Sequence, residues 1–233
     1  DTRNVHSADV DQLRHVASNI KEAGAGRIRV AGTPAFGLEV LPKAVASFQR
    51  EHPGTVFEIE TLHLEEINTA LRESRTDIGL AFDPKQSPGI GQQRLAGGRF
   101  VVLAPESEEF GGKSELTVAD LADFPFIALN SRGPLGKALS EYLAKRGADF
   151  SVVAWSETYH VARELVAQGL GVTIADDVTA RSGAMGNVRR IPLRPTLKFS
   201  VKALHLDSMP LSIGARSFIK HLGTVLKQFL ADD

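Results

Sequence analysis

The sequence predicts an α/β protein of two lobes joined by two crossover strands, with a separate amphipathic helix in front. Three observations predict this. From residue 27 onward, apolar runs of period two alternate with apolar faces of helical period. These βα units fall into two groups, each of about 100 residues or fewer. Two long apolar strands, 98–105 and 197–206, stand between the groups. The chain would leave one lobe, build the other, and return.

The elements follow in order. Val10, Leu13, Val16/Ala17 and Ile20 recur at helical spacing over 8–23, and Gly24 and Gly26 stop that helix. Such a helix must pack on something: a partner helix in a dimer, or its own domain. RIRVAG at 27–32 reads as a strand. Thr33 before Pro34 suits a helix start, with Pro in the first turn. Phe36, Val40, Leu41, Ala44, Val45 and Phe48 then share one helical face. VFEIETL at 56–62 alternates as a strand, and 64–73 is a helix presenting Leu64, Ile67 and Leu71. DIGLAF at 77–82 is an apolar strand. This βαβαβ run predicts a parallel sheet.

The second group has strands at 124–129, 151–155 and 172–175, with helices at 133–147 and 157–169. The latter is read with Val161, Leu165 and Val166 inward. Thr117 caps a short predicted helix, TVADLAD. A strand at 188–193 leads back to 197–206. The last helix, 212–230, repeats Phe218, Leu222, Val225 and Phe229. A cleft between α/β lobes, where strand ends and helix starts meet, favours small polar ligands.

Composition narrows the function classes. The 233 residues are 42% hydrophobic and 24% charged, an ordinary globular balance. A net charge of -1 gives no global attraction to nucleic acid or anionic lipid. With no cysteine, there is no disulfide framework or thiol nucleophile, which fits a reducing compartment. No apolar run approaches the ~20 residues that span a bilayer. The polar N-terminus has no h-region, so neither a signal peptide nor a membrane anchor is expected there.

The stretch QGLGVTIADD, 168–177, holds a G-x-G and two adjacent carboxylates. A dinucleotide loop needs strand, glycines, then helix. Here the order is helix, glycines, strand. Gly169 is therefore read as a left-handed helix stop, and Gly171 as strand entry. One of Asp176 and Asp177 is expected to cap the following turn and the other to face a cation. The histidines (6, 15, 52, 63, 160, 205 and 221) lack metal-ligand spacing, so no metal or cofactor is expected. No nucleophile–base pair is evident, so no enzyme is expected.

A further pattern lies in the order of short pieces. They are G-x-x-R-V-A at 26–31, TPAF at 33–36, VLP at 40–42 and F-x-x-x-H-P-G at 48–54. They continue with LRESRTDIGLA at 71–81, VVLAP at 101–105, DLADFPFI at 120–127 and V-A-x-G-L-G-V at 166–172. From about residue 24 to the end, the chain resembles the effector-binding domain of LysR-type transcriptional regulators. The resemblance implies two Rossmann-like lobes of the type 2 periplasmic-binding-protein kind. It implies lobe I at 24–100 and 202–233, and lobe II at 101–201. Residues 1–23 are similar to the end of a linker helix, and the helix-turn-helix that binds DNA is absent from this chain. The family's apolar-Pro pair after the G-L-G strand is replaced by Asp176-Asp177. That departure looks like the octopine and nopaline regulators, an amino-acid-responsive subgroup.

The resemblance also implies where an effector sits: between the lobes, on loops that follow strands. Carried over by position, these are Thr33, Pro34, Ala35 and Phe36, then His63, then Phe82 and Asp83. From lobe II come Asn130, Ser131, Glu157, Thr158 and Asp176. Thr33, Asn130 and Ser131 would take a carboxylate, while Asp83, Glu157 or Asp176 would take an ammonium. Most of these have a plainer reading too: a helix cap at Thr33, at Asn130 and Ser131 and at Glu157 and Thr158, a turn at Asp83 before Pro84. The expectation is a cytoplasmic regulatory domain binding an amino acid, opine or organic acid. It would act as a homodimer or homotetramer, through helix 36–50 and strand 56–62. The alternative is an amino-acid solute-binding protein feeding a transporter.

Overall fold

The computed structural model describes residues 26–130, 133–183 and 187–231. The helix expected at 8–23, and Ser131, lie outside the described residues.

The architecture is two α/β lobes. In the first, β1 (Arg27–Gly32), β2 (Val56–Thr61) and β3 (Ile78–Phe82) run parallel in the order β2-β1-β3. β3 is buried along its length, as a parallel strand covered on both faces should be. Arg29 of β1 grips Asp77 before β3 with two guanidinium contacts, 2.7 Å and 3.3 Å. This joins two of the motif pieces, R-V-A and T-D-I-G, across adjacent strands. Three helices connect these strands: α1 (Pro34–Gly37), α2 (Val40–Glu51) and α3 (Leu64–Arg72). The sequence suggests one helix where α1 and α2 stand. The chain breaks at Glu39, whose φ of -139° is not helical.

The crossover is longer than the sequence suggests. β4 (Ile90–Pro105) pairs with β10 (Lys198–Leu206) as far as Arg99. From Phe100 it pairs with β8 (Thr173–Asp176), and from Val101 with β9 (Val188–Arg194). One strand thus belongs to both lobes, and β10 lies antiparallel to β3, returning the chain to the first. Residues 90–97 escape the sequence reading because Gly97-Gly98 resembles a turn signal. The reason for glycine is steric. A Cβ on Gly98 would meet the ring of Phe199 at 2.4 Å, so the ring occupies the place of a side chain.

In the second lobe β5 (Leu116–Thr117) pairs with β9, and β6 (Phe126–Leu129) pairs in parallel with β7 (Val152–Ser156). A bridge from Phe126 to Val172 ties this pair towards β8. Helices α4 (Glu108–Gly111), α5 (Pro134–Ala144), α6 (Tyr159–Ala167) and α7 (Asp177–Arg181) complete it. α4 and α7 are too short to show a period in sequence. The helix expected after Thr117 is one 3-10 turn, and Thr117 donates to Asp120 rather than simply capping it.

The face of α6 differs from expectation. Val161 is exposed and Leu165 only half-buried, while Tyr159, Ala162, Arg163 and Val166 are buried. That stripe also has i, i+3, i+4, i+7 spacing, but it includes a Tyr and an Arg, which apolarity alone does not select. The last helix, α8 (Ile213–Ala231), packs on α2 with Phe218 5.3 Å from Phe48. It buries Phe218, Leu222 and Phe229, as its period predicts.

The glycines of QGLGVTIADD behave as the sequence order requires. Gly169 has φ 78° and donates from its N–H to Val166 O at 2.8 Å, closing α6. Gly171 lies so close to Pro125 that a Cβ would meet its carbonyl oxygen at 2.1 Å. Neither cradles a phosphate in front of a helix.

Candidate functional site

Three helix starts meet where the lobes join: α1 after β1, α6 after β7, and α7 after β8. A row of aromatic rings forms the floor. Phe36 stacks on Phe82 at 4.4 Å, and Phe82 meets Phe199 edge-on at 5.1 Å. Phe199 meets Phe100 at 5.8 Å, and Phe100 faces Tyr159 at 6.4 Å. The row runs from the first lobe, through both crossover strands, into the second. All five side chains are buried. Buried rings resist deformation, so they set how close the lobes can come.

Polar ties cross above this floor. His160 Nε2 lies 3.2 Å from Pro34 O. A carbonyl oxygen can only accept, so Nε2 carries the hydrogen. Burial lowers the pKa of His160, and Arg163 nearby adds to this, while the Pro34 bond and Glu164 oppose it. Gly183 N–H donates to Glu39 Oε2 at 3.0 Å, and Lys43 pairs with the same carboxylate at 2.5 Å.

The residues singled out by sequence divide by geometry. Thr33 precedes α1, but its hydroxyl caps nothing: Oγ1 is buried and has no hydrogen-bond partner among the described residues. Its N–H donates to Leu80 O at 3.1 Å. Pro34 takes the His160 contact, and Ala35 and Phe36 are buried beside it. Phe82 belongs to the aromatic row. Asp83 has φ 36°, and its Oδ1 accepts from Ser200 N at 2.9 Å and Ser200 Oγ at 2.6 Å. It clamps the end of β3 to β10.

Other expected residues lie at the rim or in caps. His63 is exposed and starts α3, its N–H donating to Glu66 Oε2 at 2.8 Å. Asn130 is exposed, with its N–H on Ser156 O at 2.8 Å. Glu157 is exposed, and Thr158 rather than Glu157 caps α6, accepting from Val161 N at 3.3 Å.

The acidic pair separates cleanly. Asp176 is fully buried and caps α7: Thr179 N donates to Oδ1 at 2.8 Å and Thr179 Oγ1 to Oδ2 at 2.7 Å. Burial pushes its pKa up to about 6, against the lowering effect of the two Thr179 bonds. Asp177 faces cations instead, with Arg181 Nε at 2.9 Å and Arg99 Nε at 4.0 Å. Asp176, expected to take a ligand ammonium, is thus sealed in the fold with Thr179 bonded to both of its oxygens.

Sequence reasoning missed Tyr159 and His160. Tyr159 is buried, its hydroxyl has no hydrogen-bond partner among the described residues, and desolvation raises its pKa strongly. The signal was present: both residues open the helix that follows Thr158. Assigning the inward face to Val161 turned them away from the cleft. Among the described residues, no cluster of His, Cys, Asp or Glu could hold a metal, and no helix is long and apolar enough to cross a membrane.

Comparison with known proteins agrees with this architecture. The model of the LysR substrate binding domain matches residues 21–227. The transcriptional regulator DgcR of Pseudoalteromonas sp. is 31% identical over 214 residues, which cover 92% of this chain and 74% of that protein. The crystal structure of HinK, a LysR family regulator from Pseudomonas aeruginosa, superposes with a TM-score of 0.78 at 20% identity. That match covers 95% of this chain and 78% of HinK. The effector binding domain of BenM with its effector benzoate gives 0.71 at 19% identity, covering 86% of this chain and 91% of that one. With the family model covering most of its length, the chain belongs to the LysR substrate-binding domain family, the effector-binding part of LysR-family transcriptional regulators.

Proposed function

We propose that the lobe junction binds a small organic acid, and that the bound acid sets the arrangement of the two lobes. The observation that carries this is the Thr33 hydroxyl, buried at the junction with no hydrogen-bond partner among the described residues. A buried, unsatisfied hydroxyl costs about 1–3 kcal/mol, and a ligand oxygen would recover that. Tyr159 offers a second such hydroxyl from the opposite lobe. An organic acid fits better than an amino acid or opine. The carboxylates expected to hold an ammonium are occupied or remote: Asp83 by Ser200, Asp176 by Thr179, and Glu157 out in solvent. Benzoate, the effector of the structural relative BenM, is itself a carboxylate. The relatives are transcriptional regulators, so the solute-binding alternative is not favoured.

In this reading residues 24–100 and 202–233 form lobe I and 101–201 form lobe II. A cytoplasmic full-length regulator would bind DNA through an N-terminal helix-turn-helix joined by residues 1–23. A ligand shifts such a system only by binding one arrangement more tightly than another. Two exposed apolar edges support pairing with a second copy. They are β2, with Val56 and Ile59, and β7, with Val153 and Trp155; Leu38 lies exposed before α2.

The experiment is a thermal-shift screen of amino acids, opines and organic acids on the chain and on Thr33→Val. A ligand bound to the native state raises the melting temperature. Valine keeps the shape and removes the unpaired hydroxyl, so the free protein should melt no lower than the parent. Affinity for the best acid should drop at least ~10-fold, the worth of one good hydrogen bond. Unchanged affinity in Thr33→Val would sink the assignment.

A further inference from the structure

A cavity of about 170 Å³ lies inside the second lobe, between α5 and strands β6, β7 and β8. It is separate from the lobe junction: Thr33, Phe36, Phe82 and Tyr159 do not line it. Its apolar walls include Ile127, Leu129, Leu139, Leu143, Phe150 and Ile174, and among the described residues no charged one lines it. Phe126 stacks on Phe150 with centroids 4.0 Å apart and forms one end. Thr173 also lines it, but its hydroxyl is spent on Ile127 O at 2.8 Å.

The sequence explains why the space exists. Gly136, Leu139, Ser140 and Leu143 follow i, i+3, i+4, i+7 spacing, so α5 turns one stripe toward the strands. Two of the four are small. Gly136 is buried and has no side chain to fill the gap, and Ser140 sits at the exposed rim. Trp155, the one tryptophan of the chain, lines the cavity while remaining 70% exposed, which places it at the mouth.

Protein interiors close such gaps unless something holds them open, and few voids exceed one water. Water needs roughly two to four polar partners to settle in a cavity, and these walls supply few. An apolar cavity of about 150 Å³ stays dry and accepts a single aromatic ring. We propose that this cavity is a second ligand site, which takes an uncharged single-ring aromatic of phenol size. The ring lies among Leu139, Leu143 and the Phe126–Phe150 pair, and its hydroxyl points to Ser140. With apolar walls and no charged residue among the described lining, the cavity favours an uncharged ring over an ionised acid, so the two sites select different chemistry.

Phenol titrated into the intact chain should change Trp155 emission along a saturable curve. Gly136→Leu and Ser140→Leu fill the space from α5 and should each weaken that response at least ~10-fold, as a filled cavity offers no apolar surface to bury. The second variant replaces an exposed residue, so the test survives if the first fails to fold. Thr33→Val should leave the phenol response unchanged, which separates this site from the junction. No saturable response, a response indifferent to both fillings, or one lost in Thr33→Val would each overturn the proposal. So would a response that tracks protein concentration instead of phenol, since Trp155 also lies on an edge suited to a second copy.

Discussion

His160 Nε2 on the second lobe lies 3.2 Å from the carbonyl oxygen of Pro34 on the first. It is a single neutral bond, and the residue before each of its partners, Thr33 and Tyr159, carries a buried hydroxyl with no hydrogen-bond partner among the described residues. A junction held by few polar bonds over a rigid aromatic floor can reset its spacing when a ligand adds bonds of its own.

The first prediction concerns acid stability. Burial holds the pKa of His160 below its ordinary 6.5, so the unfolded chain binds this proton more readily than the folded one. Stability from this group is therefore full above pH 6.5 and is lost as pH falls from there through the lower folded value. His160→Gln keeps a donor for Pro34 but does not titrate. Its melting temperature should fall less than the parent's between neutral pH and pH 5; parallel curves would refute the assignment.

Asp176 has the opposite sign. Its pKa rises from 3.8 to about 6 in the fold, so the folded chain holds the proton more tightly. Its contribution is greatest below pH 3.8 and is lost as pH rises through about 6. Asp176→Asn retains an acceptor for Thr179 N without the buried charge. At pH 7 it should be more stable by about 1–3 kcal/mol in urea unfolding, an advantage that vanishes near pH 4. A destabilised Asn variant at pH 7 would show that the carboxylate is needed as a charge.

Gly98 should tolerate no side chain while Phe199 lies over it. Gly98→Ala is expected to cost about 1–3 kcal/mol through overpacking. Shortening the ring in a Gly98→Ala, Phe199→Leu double variant should cost less than the sum of the single changes, by about 1 kcal/mol. Additive costs would place the constraint in the backbone of β4 instead.

For pairing between copies, a charge on either exposed edge should separate them. Ile59→Glu on β2 and Trp155→Glu on β7 each place a carboxylate where an apolar partner surface is proposed. Sedimentation should shift from dimer to monomer with circular dichroism unchanged. A parent that sediments as a monomer, or variants that remain dimeric, would exclude these edges.

The sequence by itself determined the order of the longer strands and helices, the parallel start, and the rejection of a phosphate loop. These are local matters. Period two or 3.6 needs only neighbouring residues, and Gly169 follows its helix whatever the rest of the chain does. Two of the motif pieces meet in the fold through Arg29 and Asp77, a guanidinium and a carboxylate brought together across adjacent strands.

Only the tertiary structure decided what depends on distant neighbours. Asp176 and Asp177 are identical in chemistry and adjacent in sequence, yet one is sealed over Thr179 and the other faces Arg181 and Arg99. Which way each turns is set by the packing of α7 against the crossover. The inward face of α6 likewise went to Tyr159 and Arg163 rather than Val161, a choice that apolar period alone does not make. Gly98 falls within the strand expected at 98–105, but only Phe199, distant in sequence, supplies the ring that explains why it is glycine. Burial is a property of the assembled molecule, and each of these outcomes follows from burial.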